Sequence, residues 1–238
     1  MLVCGALAGC GTVDYEGTLV TEIGDVLYVE SSLLALAMRA HDGVRTPAEE
    51  ATELAVRVTE ATGGCARVSV EDALVRAVMD ECTWSALHAA SATGVATFRV
   101  IGEGRVEVDL RSLFVGEHGH LGLSDTLTIG EGTTVYGDAA QVTPARGYEH
   151  ELLEARWSVV DDGECLTLDG TVRAGDAITT TIYEVRGYRR CGASCPAAGE
   201  IEMTFEHAEP LVVSFDGRAE VGAVRAGSTA RVSLDCAP

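Results

Sequence analysis

Apolar and polar residues divide the chain into a helical opening and a long strand-rich remainder. From Leu19 the apolar positions Val20, Ile23, Val26, Leu27, Leu34 and Met38 recur at spacings of three and four, which predicts an amphipathic helix ending near His41. Gly24 weakens its first half, and Asp42-Gly43 signals a turn. Thr46-Pro47-Ala48-Glu49 then reads as a capping box with proline at the first helical position: the Thr46 hydroxyl can accept a backbone N–H and Glu49 can reach back. A second helix with Ala51, Leu54, Ala55, Val58 and Ala61 on one face should follow, stopped by Gly63-Gly64. The short connection implies that the two helices are antiparallel neighbours, a helical hairpin over residues 13–64.

After Cys65 the period falls to two. Val68 and Val70 open the change. Residues 71–82, with Ala73, Leu74, Ala77 and Val78 at helical spacing, form the one segment predicted as a further helix. Val106, Val108 and Leu110 alternate with Arg105, Glu107, Asp109 and Arg111 behind a Gly102-Glu103-Gly104 turn, so one face is buried and the other solvated. Leu121, Leu123, Leu127 and Ile129 supply the next inward row, before Gly130-Glu131-Gly132 and a strand around Val135. The run from Thr143 through Pro144 to Gly147 marks an internal boundary between a first β-rich half, 65–142, and a second, 148–238. In the second half Leu153, Ala155, Trp157 and Val159 alternate, Asp161-Asp162-Gly163 turns, and residues 165–172 should pair with 178–185. Three further inward rows are Ile201, Met203 and Phe205; Leu211, Val213 and Phe215; and Val232, Leu234 and Cys236. The fold class expected is α+β, an N-terminal helical hairpin packed on a mainly antiparallel β-sheet meander.

Composition narrows the functional classes. A formal charge of −20, with 17 cations that are all arginine, argues against nucleic acid or anionic lipid as a partner. Lysine and asparagine are absent altogether, a bias that looks like the codon usage of a high-GC bacterium, so arginine in place of lysine carries no functional weight. No segment approaches the roughly 18 consecutive apolar residues of a membrane span.

Leu7-Ala8-Gly9-Cys10 resembles a bacterial lipobox. The resemblance implies that residues 1–12 are the end of a signal peptide with its anchor, that Cys10 is the lipidated residue, and that the membrane is a partner through it. Gly11 in place of Asp after the anchor favours the outer membrane, in the periplasm or at the cell exterior. An exported chain then holds six further cysteines, Cys65, Cys82, Cys165, Cys191, Cys195 and Cys236, and an even number in that setting reads as a disulfide framework. The first expectation is Cys65 with Cys82, Cys165 with Cys191 and Cys195 with Cys236. The alternative is a local Cys191–Cys195 bridge that leaves Cys165 for Cys236. The stretch from Cys195 to Cys236 is also similar to the closing part of uncharacterised β-rich envelope lipoproteins, a resemblance that implies no activity.

Candidate chemistry is sparse. Glu117-His118-Gly119-His120 sets two imidazoles at i and i+2, which on an extended chain point the same way and can share a metal, with Glu149-His150 able to add ligands. Asp161-Asp162-Gly163-Glu164, Asp169-Gly170 and Asp216-Gly217 offer hard oxygen donors but lack the spacing of a calcium loop, and Asp-Gly is first a turn signal. Arg186, Arg189 and Arg190 beside Tyr183 and Tyr188 form the one basic island, able to hold a carboxylate or phosphate or simply to face solvent among acidic neighbours. There is no G-x-S-x-G elbow and no phosphate-cradling G-x-x-x-x-G-K-[ST]. The expectation is therefore an exported, lipid-anchored envelope protein with a binding or structural role and no cofactor. The alternatives are a carrier holding an apolar ligand between sheet and helices, and a metal-dependent hydrolase built on His118 and His120.

Overall fold

A computed structural model describes residues 12–83, 91–115, 119–121, 124–130, 133–135, 142–143, 151–175, 180–234 and 236. Helix α1 runs Thr12–Ala40 and α2 runs Pro47–Ala61. The strands follow as β1 (Arg67–Glu71), β2 (Leu74–Thr83), β3 (Ser91–Gly102), β4 (Arg105–Val115), β5 (Gly119–Leu121), β6 (Ser124–Gly130), β7 (Thr133–Val135), β8 (Val142–Thr143), β9 (Glu151–Asp161), β10 (Leu166–Gly175), β11 (Thr180–Arg190), β12 (Ala198–Phe205), β13 (Ala208–Ser214), β14 (Glu220–Arg225) and β15 (Ser228–Ser233). The fold is mostly β with an N-terminal helical pair, broadly α+β. All pairings between described strands are antiparallel, and the main path visits the strands almost in chain order.

The second helix begins as its sequence dictates. The Thr46 hydroxyl accepts from the Glu49 backbone N–H, the Thr46 N–H donates to the Glu49 carboxylate at 2.8 Å, and Pro47 occupies the first turn where a missing N–H does no harm. Ala51, Leu54 and Val58 form its buried face. Helix α1 departs from expectation in two ways. It starts at Thr12, before Leu19, and from Val26 to Met38 every residue is buried, so this is an enclosed helix and not an amphipathic one. Among the described residues no helix is long and apolar enough to cross a membrane.

Gly24 has a packing reason. A Cβ there would stand 3.0 Å from the Tyr188 ring and 3.1 Å from the Ile201 side chain, so the glycine lets α1 lie close on β11 and β12. Along its length α1 packs on β9 to β15, whereas α2 covers β1, β2 and β3. The buried apolar side chains of both regions belong to one continuous core.

Residues 71–82 correct the sequence reading. They form no helix: the chain turns at Asp72-Ala73, with Asp72 at φ 51°, and β2 pairs with β1 on one side and β3 on the other. Val75, Ala77 and Met79 alternate inward, and an irregularity between Met79 and Cys82, with Glu81 at φ 52°, brings Cys82 to the inner face as well. The misleading alanines are there because α2 presses on these strands: Ala77 and Ala96 are cross-strand partners, both fully buried beneath it.

A similar bulge in β4 changes the inward parity from Val106, Val108 and Leu110 to Leu113 and Val115. It is matched by Gly94 at φ 124°, where a Cβ would lie 1.9 Å from the Ser112 carbonyl oxygen. The expected inward row from Leu121 to Ile129 is divided between β5 and β6, which both pair with β4, and Leu123 lies outside the described residues. Most of the expected boundary at 143–147 also lies outside them, but the ladder passes from the first β-rich half to the second through β7 and β9, where Thr133 pairs with Val160.

Three cysteine pairs stand at disulfide distance: Cys65 with Cys82, Cys165 with Cys191 and Cys195 with Cys236. The first ties the end of α2 to β2. The other two clamp residues 191–195 between the β9–β10 turn and the chain beyond β15.

Candidate functional site

The polar chemistry of the described structure concentrates along α1. Gly17, Gly24, Tyr28 and Ser31 share one side of the helix, as 3.6 residues per turn requires, and the polar groups on this side meet the second half of the sheet. Asp25 forms an ion pair with Arg190, whose side chain is only 2 % exposed. The Arg190 Nε donates to the Ser194 carbonyl at 3.0 Å, and its guanidinium lies 4.9 Å from the Tyr28 ring centroid. Burial works against the arginine's charge, but the Asp25 carboxylate beside it outweighs burial and its pKa stands above the ordinary value. The Tyr28 hydroxyl donates to the Gly192 carbonyl at 3.0 Å, and Trp157 Nε1 donates to the Ser31 hydroxyl at 3.1 Å.

Arg190 corrects the reading of the basic island as a solvated face. Alternation in β11 buries Thr181, Tyr183 and Val185. At Gly187, with φ 56°, the register against β12 slips, and the inward parity passes to Tyr188 and Arg190. Arg186 and Arg189 stay on the outer side. Arg186 bonds Glu200, Glu184 and Glu202, which raise its pKa in that order, and Arg189 bonds Asp162 at 2.8 Å. A glycine inside a strand pattern was the available signal for the parity change.

The aspartates considered as calcium ligands spend their oxygens inside the fold, and Asp169-Gly170, expected to turn, lies instead within β10 at its register shift against β11. Asp162 Oδ1 accepts from the N–H groups of Cys165 and Glu164, which hold its pKa below the usual carboxylate range. Asp161 accepts from Arg39 at 2.5 and 2.8 Å, Asp169 from the Gly187 N–H at 2.6 Å, and Asp216 from the Arg218 N–H at 3.3 Å. Among the described residues no group of three or more His, Cys, Asp or Glu is placed to hold a metal ion. Of the histidines considered for a metal, His120 lies in β5 opposite Phe114 and Thr143, whereas His118 and His150, with Glu117 and Glu149, lie outside the described residues. Cys10 lies outside them too.

Between α1, α2 and the β9–β10 turn is an open groove of about 390 Å³ whose polar lining includes Tyr28, Ser32, Arg39, Arg57, Glu60 and Glu164. Burial raises the Tyr28 pKa, Arg39 is engaged by Asp161, and Arg57 pairs with Glu53 at 2.8 Å. The Ser32 hydroxyl donates to the Tyr28 carbonyl at 2.8 Å. Of the groove's polar side chains Tyr28, Ser32 and Arg39 are engaged within the fold, whereas Arg57 Nε is buried without a hydrogen-bond partner among the described residues. A second surface hollow, about 550 Å³, lies between the β1–β2 turn and the ends of β3 and β4.

Sequence reasoning missed the group with the least ordinary surroundings. Glu30 lies about a third of a turn round α1 from Gly24 and Ser31, on the side of Leu19, Val26, Leu33 and Ala37. It is wholly buried, neither carboxylate oxygen has a hydrogen-bond partner among the described residues, and burial raises its pKa to about 8. The signal was a single acidic residue at a helical position flanked on its own face by apolar ones. No family model matches this chain, and searches of curated proteins and of solved structures return no match.

Proposed function

We propose that this chain is an exported, lipid-anchored envelope protein whose folded body, a helical hairpin on an antiparallel meander, serves binding or structural support and not catalysis. The observation that carries the reading is the complete pairing of Cys65, Cys82, Cys165, Cys191, Cys195 and Cys236 at disulfide distance. Such bridges persist in oxidising compartments and not in a reducing cytosol. The lipobox resemblance at Leu7 to Cys10 supplies the address, with Cys10 as anchor in the outer membrane. Buried acyl groups contribute about 0.8 kcal/mol per CH₂, so several chains on one cysteine hold a protein firmly.

The carrier reading asks for enclosed apolar room between sheet and helices. Among the described residues that space is occupied by the side chains of α1, and the two hollows described above open to solvent with charged side chains in their linings. The preferred reading therefore places any partner on the outer surface.

Intact mass of the protein expressed in a bacterial host with its native leader tests the proposal. The expected result is a chain beginning at Cys10 with acyl chains attached, whose mass rises on reduction by the hydrogens of three bridges. An unmodified start with all eight thiols free would overturn it.

A further inference from the structure

The interior of α1 holds an acid that the fold leaves without a partner. Glu30 has no exposed surface, and both of its oxygens lack a donor among the described residues. Its helical neighbours on the same side are Val26, Leu27, Leu33 and Leu34, all buried. Among the described residues no charge faces it from any element packed on α1. On α1 itself Asp25 is taken by Arg190, Arg39 by Asp161 and Glu16 by Arg225. On α2 Glu50 hydrogen-bonds His41 at 2.8 Å and Glu53 pairs with Arg57. From the sheet the inward titratable groups are Tyr183 and Tyr188, both buried phenols, and Arg190 and Arg225, taken by Asp25 and Glu16.

An ionised carboxylate in such surroundings would carry a desolvation penalty with nothing to offset it, whereas the neutral acid loses only its hydrogen bonds to water. We propose that Glu30 is a proton-controlled latch: α1 stays docked in the core while the carboxyl keeps its proton, and losing the proton drives the middle of the helix out of its seat. Burial as the cause of the upward pKa shift agrees with this geometry.

The sign follows from linkage. The folded state holds a proton that the unfolded carboxyl releases near pH 4.5, so docking is fully favoured below that pH and weakens by about tenfold per pH unit until the folded group titrates at about 8. Across that window the equilibrium constant for release of α1 rises by about a thousandfold. The latch needs no lipid anchor and holds whether or not the proposed location is right.

Trp157 is a built-in reporter, because its indole N–H is bonded to Ser31, the residue next to Glu30. The experiment follows Trp157 emission in a Trp84→Phe background between pH 5 and pH 9.5, together with cleavage at Arg39, in the disulfide-bonded protein and in Glu30→Gln. The expected result is a reversible red shift with faster cleavage at Arg39 on the alkaline side of neutrality in the parent, and a flat response in Glu30→Gln. If Glu30→Gln does not fold, Glu30→Leu takes its place with the same expectation. A parent that does not respond, or a response that persists in the variant, overturns the proposal.

Discussion

The two sides of α1 treat buried polar groups in opposite ways. On the side that meets β9 to β12, Asp25, Tyr28 and Ser31 each have a partner from the sheet or the loop after it: Arg190, the Gly192 carbonyl and Trp157. A third of a turn away, Glu30 has none among the described residues. A buried charge with a partner and added hydrogen bonds specifies how helix and sheet register, although it contributes little net stability compared with an apolar pair. A buried acid without a partner adds no register. It makes the docking of the helix conditional on protonation.

The contrast breaks most severely if one member of the partnered side is removed. Asp25→Ala leaves the 2 %-exposed Arg190 guanidinium without its counter-ion, and urea unfolding should show a loss of about 3 kcal/mol. On the unpartnered side the sign reverses. Glu30→Leu removes a carboxyl that must bind a proton to fold, and with a folded pKa of about 8 against 4.5 the variant should be more stable than the parent at pH 7 by about 3 kcal/mol, from the roughly 2.5 pH units above 4.5 at about 1.4 kcal/mol each. The gain should shrink as pH falls toward 4.5, where the unfolded carboxyl holds its proton too. Smallest is Ser31→Ala, which removes the hydrogen bond from the Trp157 indole and should cost about 1 kcal/mol by the same measurement, with little dependence on pH.

Arg186 and Arg190 repeat the lesson within one strand. Arg186 bonds three glutamates yet is 47 % exposed, and surface pairs of this kind, screened by solvent, contribute little. Four residues on, Arg190 is sealed in the core. Both are arginines in the same acidic protein, and composition treats them alike. What separates them is the register slip at Gly187.

Local rules were legible wherever the answer lies within a few residues. The capping box from Thr46 to Glu49 needs only side chains three positions apart, and the helix that follows it ends at Ala61. Strands with clean alternation, such as β4 up to Leu110, were read from period alone. Residues 74–83 were not, because their alanines suit a helix in isolation and a strand only where α2 lies against them. The candidate sites fared unevenly for a similar reason: Asp162 was legible as a turn former, whereas Asp169-Gly170, read as a turn, lies inside β10 at a register shift, and Arg190 and Glu30 depend on what stands opposite them.

The sequence alone determined the α+β order of elements, the cap and stops of α2, the even set of cysteines and the first expected pairing among them, since each rests on spacing along the chain. Tertiary structure decided that α1 is enclosed on every side, that bulges at Gly187 and near Glu81 redirect whole rows of side chains, and that one carboxyl of α1 has a partner while another has none. Burial and pairing are properties of surroundings assembled from distant segments: a one-residue slip in a strand reverses which side chains face the core, and an acid's charge state follows from whatever the fold sets beside it.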